Sequence, residues 1–130
     1  MLNKTGITKT VGAAPSQILY NVQNQVSVPI KVVKTYAGAV TENGRKIVKA
    51  GTPLNGDLLN RGTSFVAPDA NKPAVGILLH DVDITDADAN GTLLIFGFVN
   101  VNRIDSTTAA LITATVQTQL SGKVYFLKDN

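Results

Sequence analysis

A mostly β fold of the α+β type, with one short C-terminal helix, is predicted for this chain on three observations. The composition is rich in Thr, Asn, Gly and Val, residues that favour strands and turns over long helices. Asn43-Gly44 stands between two β-rich runs, and this dipeptide tolerates the positive φ that a tight hairpin turn demands. Two continuous apolar runs, 74–82 and 92–101, have the length of strands buried on both faces.

The elements follow in order. Residues 1–29 are set apart as an extended N-terminal arm with a possible docked strand: the run 5–17 is small, polar and punctuated by Gly6, Gly12 and Pro15, with too little apolar mass for a core of its own. Weak alternation of Ile18, Tyr20, Val22, Val26 and Val28 suits a docked strand within that segment. Residues 30–130 form one compact domain. Its first strand starts at Ile30 and runs through Tyr36 to Val40, and its second covers Arg45–Lys49 and ends in Ala50-Gly51-Thr52-Pro53-Leu54. Pro68-Asp69 and Lys72-Pro73 make 61–73 irregular. The runs 74–82 and 92–101 pair at the centre, joined by an acidic turn over 83–91, and put Ile77, Leu79, Leu94 and Phe96 in the interior. Ser106 as cap, a face of Ala109, Ala110, Ile112 with Thr113, Val116 and Leu120, and Gly122 as terminator predict one helix. Val124–Leu127 is a terminal strand docked on the core.

A chain of 130 residues is one domain's length and buries roughly two-thirds of its unfolded surface, enough for a core without staples. It contains no cysteine, which excludes disulfides and thiolate metal sites. No apolar h-region follows Met1 and no stretch approaches the ~20 apolar residues of a spanning helix, so a soluble protein without a secretory leader is expected. The net charge of +3 is unevenly spread. Lys4, Lys9, Lys31, Lys34, Arg45, Lys46 and Lys49 face Glu42 alone in 1–50, whereas 51–105 carry seven aspartates against Arg61, Lys72 and Arg103. Nucleic-acid binding needs a basic face with stacking aromatics, and the chain has no Trp and few Phe or Tyr.

Motifs for chemistry are scarce. His80 precedes Asp81, but neighbours on a strand point to opposite faces and cannot form a base and its orienter. No serine occupies a nucleophile elbow. Asp81, Asp83, Thr85, Asp86 and Asp88 resemble a calcium loop superficially, yet an EF-hand counted from Asp81 needs Gly and Glu where Asp86 and Thr92 stand. The acidic turn is therefore read as a solvated connector. No catalytic residue, metal ligand or cofactor site is assigned.

From Arg45 to Ile104 the chain resembles the head decoration proteins of tailed bacteriophages, of the phage lambda decoration protein D type. The residues that carry the likeness are Ala50-Gly51-Thr52-Pro53-Leu54, Ala74-Val75-Gly76-Ile77-Leu78-Leu79, Asp81-Val82-Asp83-Ile84-Thr85 and Phe96-Gly97-Phe98-Val99-Asn100. Lys123-Val124-Tyr125-Phe126-Leu127-Lys128 is similar to relatives from phages of Gram-positive bacteria. The resemblance implies a compact β-tulip-like subunit, made in the host cytoplasm, that forms homotrimers on the outer surface of the expanded head. It implies the major capsid protein as partner, a stabilising and non-enzymatic role in the virion, and an N-terminal arm that orders on the shell. Lys4, Thr5, Ile7, Lys9 and Val11 are the capsid-binding candidates within that arm. An arm followed by a β domain also suits a head-fibre base or a tail or connector component. A carbohydrate- or host-binding β module would need exposed aromatics, for which Tyr20, Tyr36 and Tyr125 are the candidates.

Overall fold

The computed structural model describes residues 17–20 and 23–128. In chain order it contains β1 (Val26–Val32), β2 (Val40–Glu42), β3 (Arg45–Val48), β4 (Pro53–Leu54), β5 (Gly76–Leu78), β6 (Val82–Asp83) and β7 (Ala89–Asn100). A 3-10 turn (Val101–Arg103), α1 (Ser106–Ala109), α2 (Ala114–Gln119) and β8 (Val124–Leu127) follow. Among the described residues strand makes up 37% and helix 12%, so the class is mostly β.

The apolar run around Leu93-Leu94 becomes the spine of a five-stranded sheet because both its faces are buried. Along one edge of β7 lies β1, antiparallel, from Val26↔Phe96 to Val32↔Ala89. Along the other lies β5 (Ile77↔Leu94, Leu78↔Leu93), followed by β8, parallel, from Gly97↔Val124 to Asn100↔Leu127. Thus the two apolar runs pair at the centre as their composition predicts. Short β4 continues the sheet beyond β5 (Pro53↔Ile77, Leu54↔Gly76). Ile77 and Leu94 point into one apolar cluster with Val99, Val116, Leu120 and Val124; Leu78 and Leu93 point into a second with Val32, Val48, Phe65 and Val82. α2 supplies Val116 and its C-cap Leu120 to the first cluster, and the small sheet β2-β3-β6 supplies Val48 and Val82 to the second.

That small sheet begins with a hairpin closed by Asn43 and Gly44 at φ 51° and 76°, the left-handed pair of a two-residue turn of the primed type. Pro29 lies within β1, an edge strand, where its missing N–H leaves no gap in a ladder. Its carbonyl accepts a hydrogen bond from the Arg61 guanidinium at 2.9 Å.

Several expectations need correction. The domain starts before residue 30. β1 crosses that boundary, and Ile18 and Leu19 are buried in the first cluster, with Leu19 bridged to Val99. The first strand does not reach Val40. After Val32 the chain makes successive turns (Tyr36 N to Val33 O, Ala39 N to Tyr36 O) that bury the Tyr36 ring. Apolar run 74–82 is shared between the two sheets, β5 in one and Val82 in the other.

The single C-terminal helix is two. Asp105, not Ser106, caps α1, and Thr113 caps α2 by accepting the N–H of Val116 at 3.3 Å. A threonine hydroxyl that satisfies the backbone locally competes with helix continuation, and here it starts a new helix instead.

Phe96 is 41% exposed, not interior. Val26 and Ser27 lie opposite Phe96 and Leu94, so β7 carries Ile95 as an extra residue. A bulge of this kind inverts side-chain parity along the strand. Leu94 and Val99 consequently face the same cluster although they stand an odd number of residues apart. Phe96 and Phe98 are turned to the other face.

Candidate functional site

Beyond the bulge, the face of β7 opposite the helices extends past the small sheet that covers Leu93. Three rings occupy it. Phe98 and Tyr125, aligned by the β7–β8 register, stack with centroids 5.1 Å apart. Phe96 meets Phe98 and Tyr125 edge to face at 6.4 and 6.5 Å. Tyr20, whose N–H donates to the Phe98 carbonyl at 2.7 Å, lies on the next chain segment and is exposed. Val26, half-exposed, pairs with Phe96 from β1. Four of the chain's seven aromatic residues therefore belong to one sheet surface. On the Leu94 side of the sheet, the Oε1 atom of Gln25 is buried without a hydrogen-bond partner.

A second apolar feature lies at the far end of β1. Leu58 and Leu59 ride on a turn in which Asp57 accepts the Leu59 N–H through its side chain (2.9 Å) and the Asn60 N–H through its carbonyl (3.0 Å). The Arg61–Pro29 hydrogen bond ties the turn to β1. Leu59 is 98% exposed on this braced loop. With Tyr20, Val26, Phe96 and Tyr125, the two leucines complete the exposed large hydrophobics among the described residues. Sequence reasoning missed the pair, although turn formers on both sides, Asn55-Gly56-Asp57 and Asn60-Arg61-Gly62, signal a protruding loop.

The other candidates behave differently. Tyr36 is buried and donates its hydroxyl to the Pro53 carbonyl at 2.9 Å; burial pushes the phenol up to about 12. It is a core residue, not a binding one. His80 is exposed, and Asp81 turns away to the Ala50 N–H (2.8 Å) and Lys49 Nζ (3.1 Å). The acidic turn is not a bare solvated connector. The Arg45 guanidinium donates to Asp83 at 2.8 Å and Asp86 at 3.1 Å. Its hydrogen bond, with that of Thr85, holds the Asp83 carboxyl down to about 2. Asp88 accepts from the Ser64 hydroxyl and the Lys34 N–H, which lower its pKa. Lys49 also reaches Glu42 at 3.1 Å. The charge asymmetry of the sequence is thus partly folded into one sheet, where basic β3 meets acidic β6. Among the described residues, no group of three or more His, Asp or Glu side chains is arranged to hold a metal ion.

Lys4, Thr5, Ile7, Lys9 and Val11 lie outside the described residues. No helix among the described residues is long and apolar enough to cross a membrane. No family model matches the chain, and no curated protein matches it.

Proposed function

We propose that the chain is a structural protein of a tailed-phage virion, one that binds the outer surface of the expanded head and stabilises it. The observation that carries the reading is the distribution of exposed apolar side chains. They gather on a sheet face and a braced loop of a rigid β frame, surfaces suited to protein neighbours. The resemblance of residues 45–104 to head decoration proteins supplies the assembly: a β-tulip-like subunit, trimeric, with the major capsid protein as its partner. Lys4, Thr5, Ile7, Lys9 and Val11 are proposed to meet the capsid, adding backbone hydrogen bonds at a sheet edge. Ordering such an arm costs about 1–2 kcal/mol of backbone entropy per residue. Three arms on one trimer offset this through high effective concentration.

Exposed rings also suit a sugar-binding module. Here Phe98 and Tyr125 stack on each other, so the ring faces that would receive a sugar are partly occupied.

The test is cosedimentation of the full-length chain with purified expanded heads stripped of decoration protein. Saturable binding in multiples of three, with a rise in the temperature at which heads release DNA, is expected. Ile7→Asp/Val11→Asp and Lys4→Glu/Lys9→Glu variants should lose binding while melting like the parent. A parent chain that never pellets with heads refutes the reading, and arm variants that decorate fully refute the arm contact.

A further inference from the structure

We propose that copies of this chain join head to tail, the Leu58–Leu59 loop of one copy seating on the Tyr20–Phe96–Phe98–Tyr125 face of the next. This rests on the reading of the chain as a self-assembling structural subunit and names the surfaces that assemble it. The two patches differ in shape. One is a protruding turn held by Asp57 and tethered through Arg61 to Pro29; the other is a flat sheet surface of packed rings. A twofold contact that matches either patch with itself leaves the other patch of both copies in water. A head-to-tail contact covers both patches in every copy and leaves none over once the ring closes.

The areas agree with this arrangement. Tyr20, Phe96 and Tyr125 are 54%, 41% and 43% exposed, and at about 150–250 Å² per aromatic side chain they leave roughly 200–350 Å² in water. Val26, the open part of Phe98 and the two leucines raise the total to roughly 400–600 Å² of apolar surface across one contact. A standard protein–protein interface of about 1,200–2,000 Å² contains about 700–1,100 Å² of apolar area. The two patches together therefore supply roughly a third to four-fifths of the apolar area of a standard contact, with the remainder falling to the surfaces around them. Neither patch carries a charged side chain among these residues, so no like charges meet when they pair. The flanking residues of the loop, Lys31 and Arg61, and the exposed Gln23 and Asn24 that precede Val26 provide a polar rim.

The experiment is sedimentation equilibrium of the full-length protein alone, without capsids, at micromolar to millimolar concentration. The parent chain should associate, and Leu59→Asp and Tyr125→Glu should each weaken association by roughly 30-fold or more, as hot-spot residues do. Leu59 is almost fully exposed, so its substitution leaves the fold intact. Val26→Glu, on the same face as Tyr125, replaces Tyr125→Glu if that variant melts early. The deciding step mixes Leu59→Asp with Tyr125→Glu protein. Head-to-tail contact leaves one intact loop and one intact face in the pair, so a heterodimer forms and grows no further. A mixture that stays monomeric, or a parent chain that stays monomeric at millimolar concentration, overturns the inference. So does a Leu59→Asp chain that associates like the parent. Each result is read without capsids, so failure here is distinct from failure to bind heads, which cosedimentation of the same parent protein measures separately.

Discussion

Replacing Phe96 by alanine should cost much less than replacing Phe65, although a pattern of apolar runs treats Phe96 as core. Phe65 is fully buried, and its ring lies against the backbone so closely that a Cβ built at Gly56 would stand 2.4 Å from it. Removing it leaves a cavity that the rigid surroundings fill poorly, and about 3–5 kcal/mol is expected. Phe96 is 41% exposed. Full burial of a large apolar side chain is worth about 1.5–3 kcal/mol, so its buried portion accounts for about 1–2 kcal/mol. Lost edge contacts with Phe98 and Tyr125 add a fraction of the ~0.5–1.5 kcal/mol typical of an aromatic pair. No closed cavity forms, because the face is open. Urea unfolding followed by far-UV circular dichroism measures both variants, with the slope checked for constancy. The protein should be dilute enough to be monomeric, since association stabilises by mass action. If Phe96→Ala costs as much as Phe65→Ala under those conditions, the bulge at Ile95 does not turn the ring outward and the reasoning fails.

Two further outcomes concern ionisable groups. Tyr36→Phe should destabilise by about 1–3 kcal/mol in the same urea assay, because the buried Pro53 carbonyl loses its donor. Burial raises the Tyr36 phenol from 10.0 to about 12, so the native state holds this proton more tightly than the unfolded chain does. Its stabilisation is complete below pH 10 and is lost as pH rises toward 12, and Tyr36→Phe should remove that part of the alkaline slope. Asp83 behaves in the opposite sense. Its carboxyl is lowered from 3.8 to about 2, so its contribution is present above about pH 4 and is lost as pH falls to 2. Asp83→Asn should flatten the melting temperature in that window, and 1 M salt should shrink the difference by screening an exposed pair. An acid transition identical in parent and variant refutes the assignment.

Features that depend on a few adjacent residues were legible in the sequence. The Asn43-Gly44 hairpin is one, because positive φ at two successive positions is a local demand that these residues meet. The pairing of the runs around Ile77-Leu78 and Leu93-Leu94 is another, because unbroken apolar sequence in a short strand means burial on both faces. The mostly β class follows from both. Tertiary structure decided the rest. Whether Ile95 is accommodated as an extra residue depends on how β1 registers against β7, and this one-residue choice moves Phe96 and Phe98 from the core side to the open face. Thr113 begins a second helix where helical periodicity alone would continue the first. Tyr36 is buried because a distant carbonyl, that of Pro53, receives its hydroxyl. Arg45 finds Asp83 and Asp86 only when β3 pairs with β6. Leu59 has the same side chain as the buried Leu54 five residues earlier, and only the braced turn around Asp57 sets it in water. Apolar pattern records how much surface a segment can bury, whereas the side on which each residue lies depends on register and long-range contacts that no local stretch of sequence contains.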